Sequence, residues 1–587
     1  MYFYLKYDIK IFKVMKRMDK ELYEYVEISD LKDMLNKTKK IYEDKTAYKL
    51  RGEKPGTFNI VTHKEVREMV DALGTSLINM GLKGKRIAVI GENRYEWEIA
   101  YLAVVCGTGI VAPMDKSLPE NELKNLIERS GVEAIIYSGK YEEEIKRIKE
   151  EGIGKLKYFI SMDLKEESDG IYSELELIEN GKKLIANGDR AFIDAKIDVE
   201  EMNIMLFTSG TTAKSKIVAL SHKNLVSNLM STSSVLDINS NDTILSFLPL
   251  HHVYECTVGF LLSLYKGAQT TFCDGIRHIL ENVNEYQVTV MSCVPAIYEN
   301  IYKNIMKKIE KEGKTNQINL LVEKYKNASM EEKRMVFKEI HEVFGGRMKL
   351  MLSGAAALNK EVAEGFFNFG INLAQGYGLT ETSPVLTVET NKYRKAGSVG
   401  KTIPHVEAKI IDINKEGIGE LVVKGPNIML GYYEDEKATN EVLKDGWFYT
   451  GDLATIDDEG YIFICGRKKN VIVLKNGKNI FPEEMECLVN KIEGVKESFV
   501  YGKAKDTDKD DIRINVKIVY DEEMVKNVYG VKTDKEIYDS IYEQIKKINK
   551  TMPPYKAIRG MILTENPLIK TTTSKIKRQE EIKTIAS

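Results

Sequence analysis

The 587-residue sequence predicts an α/β protein: a large N-terminal domain of packed sheets and helices, followed by a small α+β C-terminal domain. Three observations carry this reading. The chain is longer than a single hydrophobic core supports, so roughly two to four domains are expected. Short β-rich runs alternate with helical patterns through most of the first 460 residues, which implies parallel strands covered by helices. Past residue 400 the strands crowd together between Gly and Asp turns, and the chain closes with more strands and one long helix.

Taken in order, "RIAVIG" (86–91) reads as a strand and "NRYEWEIAYLAVVC" as the helix after it. Ile99 to Met114 is the apolar run closest to transmembrane length, but it is short and broken by two glycines, and it reads as a buried core helix and turn. "AIIYSG" (134–139) precedes the helical "KYEEEIKRIKEEG", and "TVMSCVP" (289–295) precedes "AIYENIYKNIMKKIEKEG". Residues 301–349 are rich in Lys and Glu at helical spacing and read as a solvated helical excursion. "AKIIDI", "GELVVKG" and "GYIFICG" are short strands, with a hairpin turn at Asp458-Glu459-Gly460 before the last. "SFVYG", "RINVKIVY" and the helix "KEIYDSIYEQIKKINK" build the C-terminal unit. The expected boundaries are an extension over 1–27, a large domain over 28–468 and a small domain over 469–587.

Apolar residues make up 43% of the chain, and the formal net charge is -2. Such a balance argues against a dedicated nucleic-acid binder. Six scattered cysteines show neither metal spacing nor a disulfide framework, which fits free thiols in a reducing cytoplasm. The first 17 residues mix aromatics with lysines and lack the layout of a signal peptide. They fit an upstream misread start before Met18 or an interfacial helix, and the latter leaves peripheral membrane contact open.

The stretch "LFTSGTTAKSKIVALSHKNL" (206–225) is built like a phosphate clamp. A strand ends at Thr208, Ser209, Gly210, Thr211 and Thr212, whose small side chains, hydroxyls and backbone N–H groups suit an anion. Lys216 adds a mobile positive charge, and Ser221 is placed to cap the following helix. It is not a Walker A loop: Ser215 stands where the second glycine belongs and Ile217 follows the lysine. Six more segments stand out in order: "FLPLHHVYE" (247–255), "MLSGAAAL" (351–358), "LAQGYGLTETSP" (373–384), "YTGDLATIDDEGY" (449–461), "GRKKN" (466–470) and "NPLIKTTTSKIKR" (566–578).

Together these segments resemble the signatures of the adenylate-forming superfamily, which holds acyl-CoA synthetases, luciferases and peptide-synthetase adenylation domains. That family's loop reads Thr-Ser-Gly-Thr-Thr-Gly-x-Pro-Lys-Gly. This chain keeps Thr208 to Thr212 and Lys216 but carries Ala213, Ser215 and Ile217 at the other defined positions. If the loop needs a left-handed backbone at Ala213, the substitution costs roughly 1–2 kcal/mol. The resemblance spans about residues 28–585. It implies a large domain of packed mixed sheets with a distorted β-barrel, and a small mobile domain that turns about Lys469.

The resemblance also implies roles. Thr208 to Thr212 and Lys216 would grip the phosphates of ATP. Gly354, Ala355, Gln375, Gly376 and Tyr377 would line the adenine, and Thr380 would bond the α-phosphate. Glu381, with Thr211, would hold Mg²⁺, a hard ion that takes carboxylate oxygen beside phosphates. Asp452, in a strand-end turn, would take both ribose hydroxyls, and Arg467 would meet the ribose or a phosphate. Lys575 would be the catalytic lysine, with Lys570 and Lys577 as competitors, and Ser574 stands in place of the family glycine. His252, beside His251, would wall the acyl site. The reaction implied is ATP-dependent activation of a carboxylic acid to acyl-AMP, then thioester formation with CoA. "VYECTVGFLLSLY" (253–265) is apolar, which suits a hydrophobic tunnel, and lacks the early aspartate of amino-acid adenylation domains, which argues against amino acids; the helical excursion 301–349 is similar to those of long-chain fatty acyl-CoA synthetases and directs the expectation to fatty acids. An acyl carrier protein in place of CoA, and a catalytically weak nucleotide- or fatty-acid-binding regulator, stay open as alternatives.

Overall fold

A computed structural model describes residues 22–54, 56–208, 215–390, 393–475, 478–505, 508–570 and 576–586. The alternating strand-and-helix pattern resolves into two large sheets. One has nine strands, ordered 401–402, 385–388, 373–378, 350–353, 290–293, 243–246, 269–272, 46–51 and 58–62. The other has eight, ordered 431–432, 216–221, 202–208, 110–113, 86–90, 134–137, 158–161 and 172–173. Both are parallel in the middle and antiparallel at an edge, as at the 202–208 and 216–221 pair.

Side-chain alternation explains why both sheets are covered on both faces. Ile87 and Val89 enter a shared central core, whereas Ala88 and Ile90 enter a separate outer cluster with Leu123, Ile127 and Ile145. In the nine-stranded sheet Ile244, Val290 and Leu350 face the central core, and Leu245, Met291 and Met351 face an outer cluster. Strands buried on both faces need helices on both sides. The helix His222–Val235 and the segment 253–265 contribute to the central core.

Two sequence expectations change here. Residues 301–349 are not simply a solvated excursion: Ile301, Ile305, Ile309, Phe337, Ile340 and Phe344 are buried in the outer cluster. Their spacing puts one apolar stripe on helices whose remaining face is charged. The Ile99–Met114 run begins as the expected helix but ends as the strand Ile110–Pro113, paired in parallel with Arg86–Ile90. Residues 22–28 lie against the large domain, where the Tyr23 N–H donates to the Ser234 carbonyl at 2.7 Å and Ile28 is buried.

A five-stranded antiparallel sheet (407–411, 419–424, 443–444, 447–456 and 462–467) does not close into a full barrel, in keeping with a distorted one. Beyond it, strands 495–505, 508–520 and 558–564 form a separate three-stranded sheet. Helix Asp534–Thr551 covers it through Ile537, Ile541 and Ile545, one helical turn apart, and starts at a Thr533–Glu536 capping box. All six cysteines are unpaired. Among the described residues no helix is long and apolar enough to cross a membrane.

Candidate functional site

The predicted ligands come together. Thr208, Lys216, His252, Gly354, Ala355, Gln375, Gly376, Tyr377, Thr380, Glu381, Asp452, Arg467 and Lys469 all line one cleft of about 2470 Å³. Ser209, Gly210, Thr211, Thr212 and Lys575 lie outside the described residues. The residues nearest them, Thr208, Ser215, Lys570 and Ile576, line the same cleft.

Each part is held by local structure. Thr208 and Lys216 face each other across the antiparallel pair of strands Met202–Thr208 and Lys216–Ser221. Ser221 caps the next helix as expected, accepting from the Asn224 N–H at 3.3 Å in a capping box. Strand Leu373–Gly378 carries Gln375, Gly376 and Tyr377 to the cleft. Gly378 is required by packing: a β-carbon there would sit 1.8 Å from the Pro384 carbonyl oxygen. At Gly354 a β-carbon would approach the Tyr254 ring at 3.0 Å. Ala355 has φ 68°, a left-handed backbone that costs a residue with a β-carbon roughly 1–2 kcal/mol. Such strain is retained where surrounding structure enforces it, commonly at functional sites.

Asp452 corrects the sequence reading by its placement. It lies inside strand Trp447–Ile456, directly opposite Arg467 of strand Ile462–Arg467, and not in a turn at a strand end. Gly451, at φ 69°, kinks the strand without ending it. Asp452 is 3% exposed. Its Oδ2 accepts from the Tyr377 hydroxyl at 2.5 Å, and its Oδ1 pairs with the Arg467 Nε at 2.7 Å. Burial lowers the Arg467 guanidinium's hold on its proton, but Asp452, Tyr377 and Glu381 outweigh that and the net shift is upward. Burial and the Asp452 charge push the Tyr377 phenol well above its ordinary range, so it stays a donor.

The Glu381 Oε1 accepts from the Tyr432 hydroxyl at 2.9 Å. The Lys216 Nζ lies 4.3 Å from the centre of the Tyr432 ring. The His252 Nδ1 accepts from the Tyr254 N–H at 3.2 Å, which places the proton on Nε2 whenever the ring is neutral. His251 Nε2 lies 3.5 Å from an Asp115 carboxylate oxygen; burial pushes this imidazole down and Asp115 opposes the shift. Among the described residues no group of three or more His, Cys, Asp and Glu is arranged to hold a metal. Mg²⁺ does not need one, because it is ordinarily bound by one or two carboxylates plus substrate phosphates and water. Glu381, an acidic side chain on the same cleft as Thr208 and Lys216, fits that requirement.

The profile of the AMP-binding enzyme family matches residues 35–433, and that of the AMP-binding enzyme C-terminal domain matches residues 469–587. The chain belongs to the AMP-binding enzymes. This AMP-binding enzyme is an adenylate-forming protein with the fold that superfamily shares. It is 30% identical over 481 residues to the peroxisomal long chain acyl-CoA synthetase 6 of Arabidopsis thaliana, covering 76% of this chain and 67% of that one. It is 25% identical over 575 residues to the long-chain-fatty-acid–CoA ligase FadD15 of Mycobacterium bovis, covering 91% and 92%. Its fold matches the anthranilate CoA ligase AuaEII in complex with anthranoyl-AMP, with a TM-score of 0.74 at 18% identity over 95% and 97% of the two chains. It also matches ATP-bound MatB from Rhodopseudomonas palustris, with a TM-score of 0.73 at 22% identity over 95% and 99%.

Sequence reading missed Tyr432 and Glu255. Tyr432 sits in "GYYEDE", which reads as an ordinary turn, and its pairing with Glu381 crosses 51 positions. Glu255 is fully buried, with Oε1 accepting from the Ser246 hydroxyl at 2.7 Å. The one hint was a carboxylate inside an otherwise apolar run.

Proposed function

We propose that this enzyme activates a fatty acid with ATP, forming acyl-AMP and pyrophosphate, and then transfers the acyl group to the thiol of CoA. The observation that carries this is the convergence on one cleft of Lys216, Glu381, Asp452, Arg467 and His252, which lie up to 251 positions apart in sequence. The names of the two relatives support a long-chain fatty acid as the substrate and CoA as the acceptor.

In this reading a carboxylate oxygen of the substrate attacks the α-phosphorus of ATP and pyrophosphate departs. No general base is needed, because the nucleophile is already ionised. Gln375, Gly376, Tyr377, Gly354 and Ala355 receive the adenine, and Asp452 with Arg467 receives the ribose. An ionised carboxylate only accepts hydrogen bonds and a vicinal diol offers two donors, so the two are chemically matched. Thr380 bonds the α-phosphate. Residues 208–212 and Lys216 hold the β- and γ-phosphates, and Lys575 stabilises the charge that gathers as the bond breaks. Glu381 and Thr211 would hold Mg²⁺, which supplies neutralisation of phosphate charge when bound. In the second step the thiol attacks the acyl carbon, AMP leaves, and His252 walls the route by which the thiol arrives. The large domain is assigned to 28–468 and the small domain to 469–587, with Lys469 as the hinge between the two steps.

The test is ATP–pyrophosphate exchange with carboxylic acids of increasing length, followed by product formation with CoA or a holo acyl carrier protein. Exchange that rises with chain length and thioester formed on CoA support the reading. Thioester only on the carrier protein changes the acceptor. ATP binding without exchange, for any acid, makes the protein a nucleotide sensor and sinks the assignment.

A further inference from the structure

We propose that Tyr432 is a positioning residue for the phosphate end of the cleft, aiming the Glu381 carboxylate with its hydroxyl while its ring holds the Lys216 ammonium. The inference deepens the proposed function and rests on its assignment of Glu381 and Lys216.

One side chain touches both groups. Its hydroxyl donates to the Glu381 Oε1 at 2.9 Å, and the Lys216 Nζ sits 4.3 Å from its ring centre. Tyr432 is 9% exposed and lines the cleft. Its backbone is fixed from several directions. The short strand Gly431–Tyr432 pairs with Ala219 and Val218 on the strand that begins at Lys216. The Leu430 N–H donates to the Ala219 carbonyl, and the Tyr433 N–H donates to the Ile217 carbonyl. The Tyr432 N–H donates to the Thr439 hydroxyl at 2.8 Å. Three residues earlier, the Met429 N–H donates to the backbone carbonyl of Glu381 itself at 2.9 Å. Segment 429–433 is thus laced at one end to Glu381 and at the other to the strand that carries Lys216.

The chemistry follows from the atoms. Glu381 ends in a long flexible side chain, and a metal-binding carboxylate works best when a second group fixes its orientation. Tyr432 donates to one oxygen of Glu381. A phenol, with an ordinary pKa of about 10, is protonated at neutral pH and can donate. A cation–π contact restrains Lys216 more weakly than an ion pair does, so an arriving phosphate oxygen displaces the ring.

The experiment measures Mn²⁺ binding by electron paramagnetic resonance in the presence of α,β-methylene-ATP, for the wild type, Tyr432→Phe, Glu381→Gln and the double variant. Thioester formation from supplied acyl-adenylate reports that each variant is folded. Tyr432→Phe is expected to weaken Mn²⁺ binding about tenfold, the low end for losing an outer partner of a metal ligand. The Mg²⁺ needed for half-maximal exchange should rise in parallel. In the Glu381→Gln background the same substitution should add little, since the hydroxyl acts through that carboxylate. Unchanged Mn²⁺ affinity in Tyr432→Phe overturns the inference, as does a loss that persists undiminished beside Glu381→Gln. Absence of nucleotide-dependent Mn²⁺ binding in the wild type is a different result, and it rejects the proposed role of Glu381 first.

Discussion

Replacing Asp452 by Asn tests the proposed ribose site most directly. The substitution keeps shape and removes charge. Asp452 is 3% exposed and accepts from Tyr377 at 2.5 Å and Arg467 at 2.7 Å. An amide offers one acceptor oxygen, and its NH₂ group turns a donor toward positions where donors already stand. A hydrogen bond to a charged group contributes about 1.5–3 kcal/mol. Losing one of the two expected ribose bonds therefore weakens ATP by about ten- to a hundredfold, at about 1.4 kcal/mol per factor of ten. The Arg467 side chain is 36% exposed, so solvent screens its share and the lower end is the better expectation. The assay is ATP–pyrophosphate exchange with ATP and with 2′,3′-dideoxy-ATP, which lacks the diol. The wild type should prefer ATP strongly, and Asp452→Asn should lose at least about tenfold of that preference. Because the comparison is a ratio within each protein, partial unfolding cancels. A variant that discriminates as well as the wild type would show that Asp452 does not read the ribose.

Three further outcomes are expected. Lys575→Ala should slow adenylation by at least ~10²-fold while thioester formation from supplied acyl-adenylate survives; equal loss in both half-reactions removes the lysine's assigned role. Burial pushes the Glu255 carboxyl up from 4.5 to about 8, so the folded protein keeps a proton that the unfolded chain releases. The resulting stability is fully present below pH 4.5 and declines by about 1.4 kcal/mol per pH unit as pH rises to about 8, then levels off. Glu255→Gln should flatten that part of the Tm–pH curve, and an unaltered slope rejects the assignment. Gly378→Ala puts a β-carbon 1.8 Å from the Pro384 carbonyl, so strands Leu373–Gly378 and Val385–Val388 must part. About 1–3 kcal/mol of overpacking cost should appear as a lower Tm by calorimetry, and an unchanged Tm contradicts the close approach.

Much was legible in the sequence because the physics there is local. Alternating strand and helix patterns predicted parallel sheets covered by helices, since a strand buried on both faces must be continuously apolar and a helix must show one apolar stripe. Ser221 announced its cap, because a cap reads only the three residues that follow it. The loop and the six later motifs marked the candidate ligands through their resemblance to the adenylate-forming superfamily. Tertiary structure decided the rest. Whether residues 301–349 were solvated or packed depended on an outer face of the nine-stranded sheet, which the segment itself does not encode. Asp452 lay within a strand rather than at its end because Arg467 and the neighbouring strands extend the pairing past Gly451. Tyr377 meets Asp452 across 75 positions, and Tyr432 meets Glu381 across 51. The chain sequence specifies which groups can donate, accept and carry charge; only the folding of distant strands against one another brings a donor within 3 Å of its acceptor, and at that range the chemistry begins.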